Sequence, residues 1–477
     1  MRVRFAPSPT GYLHIGNART AVINNLINRK NNGTLVLRIE DTDLERSSKE
    51  SELSIMESLR WLGIQWDEGP DVGGKFGPYR QSERLGIYQN YTNKLLESRK
   101  AYPCFCGKEE TDELKKDAES GQKSFRDPCR DLSHEESDDR MKSGKPFAVR
   151  FRVPENETIR LRDHSKGLIE FNSDNIGGDF VIVRTDGMPV YNYIVIIDDA
   201  LMNITHVIRG EDHLSNTPKQ ILIARALGLP VPEYTHLALV LGPDRSKLSK
   251  RHGITSVDLY RDEGYLPEAL VNYLAMLGWA TESGEEILTV DDIIRQIEHT
   301  NLAKSAAVFD FQKLKWMNSI HIRNYPVEKL PDLFEPFIIK AGYSYMGIDK
   351  TRLGEILNLS RANCELLSDI GSVIGIFLSD IPNFTEEARQ LLSDPASQKI
   401  ITAAHEIIGI LDAENFADQI IQKVKESTGA GGKSLFHPIR AILTGSLQGP
   451  DLKKSIPLIG YERCRKRVEH CNAIFCV

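Results

Sequence analysis

No uninterrupted apolar run in this chain approaches the ~20 residues needed to span a bilayer; LALVL at 237–241 is representative of the longest. The N-terminus lacks the charged, then apolar, then small pattern of a secretory signal. Cysteine is sparse: seven in 477 residues, an odd number that does not make a disulfide framework. Excess positive charge is also absent, with 60 Lys and Arg against 67 Asp and Glu and a net charge of −7. That excludes a generally basic nucleic-acid coat, although a local basic surface is enough to contact phosphates. There is no internal repeat and no low-complexity tract. The expectation is a cytoplasmic chain with no membrane partner and no DNA partner.

The length is too great for one ordinary core and predicts roughly three domains. Apolar content of 40% and charged content of 27% fit a globular protein. RVRF at 2–5 predicts a short strand, PSPTGYLHIGN a loop, ARTAVINNLINRK a helix and TLVLRIE at 34–40 a second strand. NNG at 31–33 is the stop between them, because Asn and Gly tolerate left-handed backbone at helix ends. Strand, helix and strand within forty residues open a parallel sheet. Helices are expected over 47–62 and 82–99. Residues 104–146 change composition and read as an insertion; strand-like stretches return at 147–153, 158–162 and 179–184. The alternation resumes through PVYNYIVIIDDALMNITHVIRGEDH and TPKQILIARALG. From about 255 onward the apolar spacing is helical, ending in a basic stretch at 453–467 whose Lys453, Lys454, Arg463, Arg465, Lys466 and Arg467 suit either phosphate contact or a solvated helix face.

Two segments carry chemistry. In His14-Ile15-Gly16-Asn17, a turn from strand to helix presents unpaired N–H groups and a helix dipole to an anion. Gly16 admits a base or phosphate, Asn17 suits the helix cap, and His14 can donate to a phosphate oxygen. Pro7 and Pro9 stiffen the loop around Ser8. Downstream, LGPDRSKLSKRHG at 241–253 sets Arg245, Lys247, Lys250, Arg251 and His252 on a loop after an apolar strand. Lys247 and Lys250 can neutralise charge that builds during phosphoryl chemistry.

Taken together, PSPTGYLHIGN and KLSKR resemble the HIGH and KMSKS signatures of class I aminoacyl-tRNA synthetases. RIEDTD (38–43), GPYRQSER (77–84), THVIRGEDH (205–213), KLSKRHG (247–253), FDFQKLKWMN and PIRAILTGS (438–446) resemble the bacterial-type glutamyl-tRNA synthetase subgroup. Asn17 stands where the signature has its second His, and Leu248 and Arg251 replace Met and Ser. The resemblance implies an α/β fold. A Rossmann-type parallel-sheet catalytic domain (1–100 and 186–253) would carry an inserted α+β acceptor-binding domain (101–185). A stem-contact helical domain (254–323) and an all-α anticodon-binding region (324–477) would follow. It implies ATP, Mg²⁺, L-glutamate and tRNA(Glu), with tRNA(Gln) as an alternative acceptor, in a monomer. His14, Lys247 and Lys250 would be catalytic; His14, Gly16, Asn17, Ser249 and Lys250 would bind ATP; Arg4, Ser8, Glu40, Tyr191 and Arg209 would line the glutamate pocket. Arg361, in LSRANCELL, would contact the anticodon.

CFC at 104–106 and Cys129 suggest metal. Their C-x-C-x22-C-x-D spacing resembles the zinc-binding insertion of some family members, in which the fourth ligand is commonly His. Here Cys104, Cys106 and Cys129 are followed by Asp131 in that position, with His134 three residues on. Zinc accepts sulfur together with a carboxylate oxygen or an imidazole nitrogen; the alternative is three reduced thiols. Cys464, Cys471 and Cys476 are too irregular for a site and read as structural or incidental.

Overall fold

The computed structural model of this chain describes residues 1–476 apart from 44, 121–124, 250–252 and 254, and leaves the side chains of 108, 115 and 117–120 undescribed. It divides into two compact units, Met1–Tyr260 with Leu270–Asp310, and Arg261–Ala269 with Phe311–Val477.

In the first unit, β1 (Arg2–Phe5) and β2 (Thr34–Leu37) pair in parallel, from Arg2 against Thr34 to Phe5 against Leu37. Helix α1 (Ile15–Lys30) makes the crossover between them. It stops where NNG predicts: the Asn31 N–H returns to the Ile27 and Asn28 carbonyls, and Asn32 takes a left-handed φ of 47°. A Cβ on Gly33 would sit 2.6 Å from the Met1 carbonyl oxygen, so that position has room only for glycine.

Helices α2 (Lys49–Trp61) and α3 (Leu85–Glu97) follow as expected. The chain then builds a separate antiparallel sheet from β3 (Ala101–Cys104), β4 (Ala148–Phe151) and, after a hairpin, β7 (Phe180–Val183). Helices α4 (Lys108–Ser120) and α5 (His134–Lys142) lie between β3 and β4 in the sequence. The hairpin, β5 (Thr158–Asp163) with β6 (Gly167–Asn172), belongs to the main sheet instead. β6 had no sequence signal, because GLIEFN packs no clear apolar face; its residues are exposed or half-buried.

Helices α6 (Tyr191–Leu201) and α7 (Thr217–Leu227) then alternate with β8 (His206–Gly210) and β9 (Glu233–Leu237). The main sheet has the order β2-β1-β8-β9-β5-β6, parallel except for the terminal hairpin. Its core includes Val36, Ile194, Ile197, Val207, Ile221 and Tyr234.

The second unit is helical among its described residues, from Phe311–Asn324 to Tyr461–Phe475, around a core that includes Phe334, Ile374, Phe377, Ile401 and Val468. The basic stretch at its end is partly structural rather than a free cationic face. Arg467 is fully buried and donates to the main-chain carbonyls of Ile376, Ser379, Asp380 and Leu443, which join three segments. Lys466 and Arg463 both pair with Asp380, and Arg465 pairs with Glu469. Replacing Arg467 with Met would keep the bulk and orphan these carbonyls. The expected cost is about 3 kcal/mol of stability, because each buried acceptor left unpaired costs about 1–3 kcal/mol. Urea unfolding followed by circular dichroism measures it; a loss below about 1 kcal/mol would place Arg467 among ordinary surface positions.

Candidate active site

The carboxyl ends of β1, β2, β8 and β9 open onto one cavity of about 670 Å³, the usual place for a ligand in a parallel α/β sheet. Each strand supplies side chains as it ends: Arg4 from β1, Glu40 two residues after the Arg38 that extends β2, and Arg209 from β8. Ser8, His14, Gly16, Asn17, Tyr191 and Lys247 also line it.

The entry loop is fixed through its carbonyls, since its two prolines have no N–H to give. Pro7 accepts from the Glu40 N–H at 3.0 Å and Pro9 from the Ser48 N–H at 3.1 Å. Ser8 stays exposed. Helix α1 starts earlier than its sequence suggests, and its cap is His14 rather than Asn17. The His14 Nδ1 accepts from the Gly16 N–H at 3.2 Å, which puts Asn17 inside the first turn and exposed to solvent. An imidazole nitrogen thus does what the Asn amide was expected to do, and His14 remains on the cavity wall.

The first signature segment is bonded through its backbone to the stretch that follows the second. Ile15 N–H donates to the Thr255 carbonyl at 2.7 Å, and Val257 N–H donates to Leu13 at 3.0 Å. Asp258 is also tied to α2, accepting from Ser54 at 2.9 Å and Ser58 at 2.7 Å. Lys247 is largely exposed and pairs with Asp212 at 2.8 Å. Ser249 is half-buried, directly after the cavity-lining Leu248. Lys250, Arg251 and His252 lie outside the described residues.

Beneath the cavity, six charges form a buried network. Arg38, fully buried, donates to Asp199 at 2.7 Å and to Glu40 at 3.2 Å. Arg4 reaches Asp199 at 3.2 Å. Asp198 accepts from Arg84 at 2.7 Å, Tyr88 at 2.8 Å and Gln81 at 2.9 Å. Three guanidinium groups therefore face three carboxylates, the balance that burial of charge requires. Burial still pushes the Glu40 carboxyl above the ordinary range against the pull of Arg38 and Arg4. For Asp199 the opposite holds: burial raises it, but Arg4 and Arg38 together take it below that range. Burial also raises the Tyr191 phenol, with Glu40 adding to the shift.

Arg209 is the exception. It is 5% exposed and makes no ion pair among the described residues, although its charge helps hold the Asp199 carboxyl down. Its Nε faces His236 Nε2 at 3.2 Å, and its Nη2 donates to Thr217 at 2.8 Å and Gln220 at 2.9 Å. Its Nη1 is buried and has no hydrogen-bond partner among the described residues. Nearby His213 is driven down to about 4, by burial first and the Arg209 charge second, so it is neutral at pH 7. Neither His213 nor His236 was singled out from the sequence. Asp198-Asp199 within YNYIVIIDDAL did carry a legible signal: two carboxylates in a helix otherwise apolar enough to be buried must have cationic partners.

Away from this cavity, Cys104 at the end of β3, Cys106, and Cys129 in the turn Pro128–Asp131 converge with Asp127, their donor atoms all within 4.8 Å of one another. The Cys106–Cys129 sulfur separation is 3.7 Å, close to the ~3.8 Å edge of a tetrahedron with Zn–S bonds of about 2.3 Å. The thiol cluster therefore fits a zinc ion. Asp131, the oxygen ligand expected from spacing, is exposed and outside this group, as is His134, which accepts from Arg99 at 2.6 Å. The turn points Asp127 inward instead, where it also accepts from Tyr102 and the Cys129 N–H, both at 2.9 Å. In the second unit, Arg361 is half-buried and donates to the Ile322 and Tyr325 carbonyls at the end of the helix Phe311–Asn324.

Comparison with known proteins agrees with this geometry. Residues 1–316 match the family described as tRNA synthetases class I (E and Q), catalytic domain, and residues 329–472 match an anticodon binding domain. A protein of Carboxydothermus hydrogenoformans named glutamate–tRNA ligase is 46% identical over 98% of this chain and 99% of its own. Another of that name from Aquifex aeolicus is also 46% identical, over 98% of both chains. A crystal structure of a glutamate tRNA ligase from Elizabethkingia meningosepticum, in complex with its amino acid, superposes with a TM-score of 0.89 at 34% identity, covering 100% of this chain and 99% of that one. A parallel sheet with its cavity at the strand ends, the first signature segment bonded beside it to the stretch after the second, and matches of this extent lead to one conclusion: the chain belongs to the class I tRNA synthetases of the E and Q type.

Proposed function

We propose that the chain is a glutamate–tRNA ligase, acting as a cytoplasmic monomer. An α-carboxylate oxygen of L-glutamate attacks the α-phosphorus of ATP, which enters as its Mg²⁺ complex; the bond to the β-phosphate breaks and diphosphate leaves. A hydroxyl of the 3′-terminal ribose of tRNA(Glu) then attacks the carbonyl carbon of the adenylate, gives up its proton, and AMP departs.

The observation that carries the amino-acid assignment is Arg209, a residue of the cavity wall whose buried Nη1 has no hydrogen-bond partner among the described residues. A carboxylate side chain satisfies it, whereas glutamine would leave a buried guanidinium without a counter-charge. Mismatches of that kind can discriminate by about 10⁴. Glu40, whose burial favours neutralisation by a cation, takes the substrate ammonium; Arg4, Ser8 and Tyr191 complete the pocket. The attacking carboxylate is already ionised at pH 7 and needs no base. Catalysis is then positioning together with stabilisation of charge on the transferring phosphorus. His14, Lys247 and Lys250 supply that stabilisation, while Gly16, Asn17 and Ser249 hold ATP. The helical second unit reads the anticodon, with Arg361 among its contacts.

Cys104, Cys106 and Cys129, with Asp127 as the oxygen donor, would hold a zinc ion, whose role there would be structural. Elemental analysis of the purified chain is expected to find about one zinc. Cys106→Ser and Asp127→Asn should lower that content and Asp131→Asn should not; the reverse pattern would restore Asp131 as the ligand.

The activity is tested by charging purified tRNA(Glu) and tRNA(Gln) separately with labelled glutamate, and with glutamine as control. Glutamate on tRNA(Glu) is expected. Glutamate on tRNA(Gln) as well would widen the acceptor set without altering the chemistry, and charging of neither by folded protein would contradict the assignment.

A further inference from the structure

The Arg209 guanidinium keeps its charge for a ligand because something other than a carboxylate holds it in place. We propose that Asp163 and His236 form a positioning relay that orients Arg209, and that this relay sets the preference for an anionic substrate side chain. The inference rests on the reading of Arg209 as the group that receives that side chain.

Asp163 closes β5, and His236 lies on the adjoining β9. Both side chains are completely buried. The Asp163 Oδ1 accepts from the Ser165 and Lys166 N–H groups at 2.9 and 2.8 Å, and its Oδ2 from the His236 N–H at 3.0 Å and the His236 Nδ1 at 2.7 Å. Burial alone would raise this carboxyl, but the bonds from His236 and the backbone outweigh it and keep Asp163 ionised. An ionised carboxylate only accepts, so the imidazole gives it the Nδ1 proton.

At the other end, a guanidinium only donates. His236 Nε2 therefore presents its lone pair to the Arg209 Nε–H, with the Thr217 hydroxyl also 3.2 Å from it, and the Nδ1–H tautomer suits both neighbours. Burial keeps the imidazole from taking a second proton, which would set two donors against each other. Tyr234 backs the arrangement, with Arg209 5.3 Å from its ring centre and the His236 ring nearly parallel at 7°.

The contrast with Arg4 shows what this achieves. Arg4 lies directly against Asp199 at 3.2 Å, and part of its charge is used there. Arg209 meets a neutral imidazole, a hydroxyl and an amide oxygen; the nearest anion in its chain of contacts is one imidazole further away. Its Nε and Nη2 are occupied, and its Nη1 is left for the ligand. The relay thus supplies rigidity without supplying a counter-ion.

The test uses the full chain and compares His236→Leu, which removes the acceptor, with His236→Gln, whose amide can accept from Arg209 and donate to Asp163. His236→Leu is expected to raise the glutamate KM by roughly ten- to a hundredfold and to narrow the preference for glutamate over glutamine, with the ATP KM little changed and the melting temperature lowered by the orphaned Asp163 carboxylate. His236→Gln should recover most of that loss. Should His236→Leu fail to fold, Asp163→Asn provides the same test: its amide donates to Nδ1, turns an Nε2–H toward Arg209, and should raise the glutamate KM likewise. An unchanged glutamate KM in the folded variants, or a loss in His236→Gln equal to that in His236→Leu, would overturn the relay. Arg209→Ala is the reference: if it leaves the glutamate KM unmoved, the pocket assignment itself fails, and not the relay alone.

Discussion

A buried positive charge that makes no ion pair among the described residues is the constraint on which this site depends. Burying an isolated charge is costly, and proteins normally neutralise it at once. Below the cavity they do so here, with Arg4, Arg38 and Arg84 matched to Asp198, Asp199 and Glu40. At Arg209 the match is withheld. Asp199 feels the Arg209 charge without pairing with it, so a ligand that brings a carboxylate into contact repays more of the desolvation than a neutral one, and binding energy becomes specificity.

The parallel sheet makes this possible. Strands β1, β2, β8 and β9 end side by side, so residues far apart in sequence, such as Arg4, Glu40 and Arg209, arrive at one edge on rigid backbone. A site on strand ends holds its geometry better than one on loops alone. The one loop that is needed, around Pro7 to Pro9, is fastened by its carbonyls to Glu40 and Ser48. The stretch just after the later signature segment is bonded to the first through Thr255 and Val257.

Much of this was legible in the sequence, and the exceptions have physical causes. The opening strand, helix and strand followed from RVRF, the NNG stop and TLVLRIE, because local periodicity and helix-end chemistry decide them. Arg4, Glu40, Tyr191, Arg209, His14 and Lys247, which the motifs single out, all line one cavity. β6 escaped because none of its residues is buried, so neither face demands apolar side chains and no alternation appears. Asn17 lost the helix cap to His14, a choice between neighbouring acceptors that depends on where the helix starts. Asp127 and Asp131 lie four residues apart around one tight turn, and only the turn decides which points inward. The Asp163–His236 pair was invisible: strand pairing, not spacing, brings the two together. Arg467 read as part of a basic face and is a buried clamp on main-chain carbonyls.

In the proposed pocket, Arg209 Nη1 receives the substrate's side-chain carboxylate and Glu40 its ammonium. A crystal structure of the full chain with L-glutamate tests it most directly. The account predicts the side-chain carboxylate within hydrogen-bonding distance of Arg209 Nη1 and the ammonium against Glu40. Glutamate bound with its side chain directed elsewhere, and Nη1 still unpartnered, would contradict it.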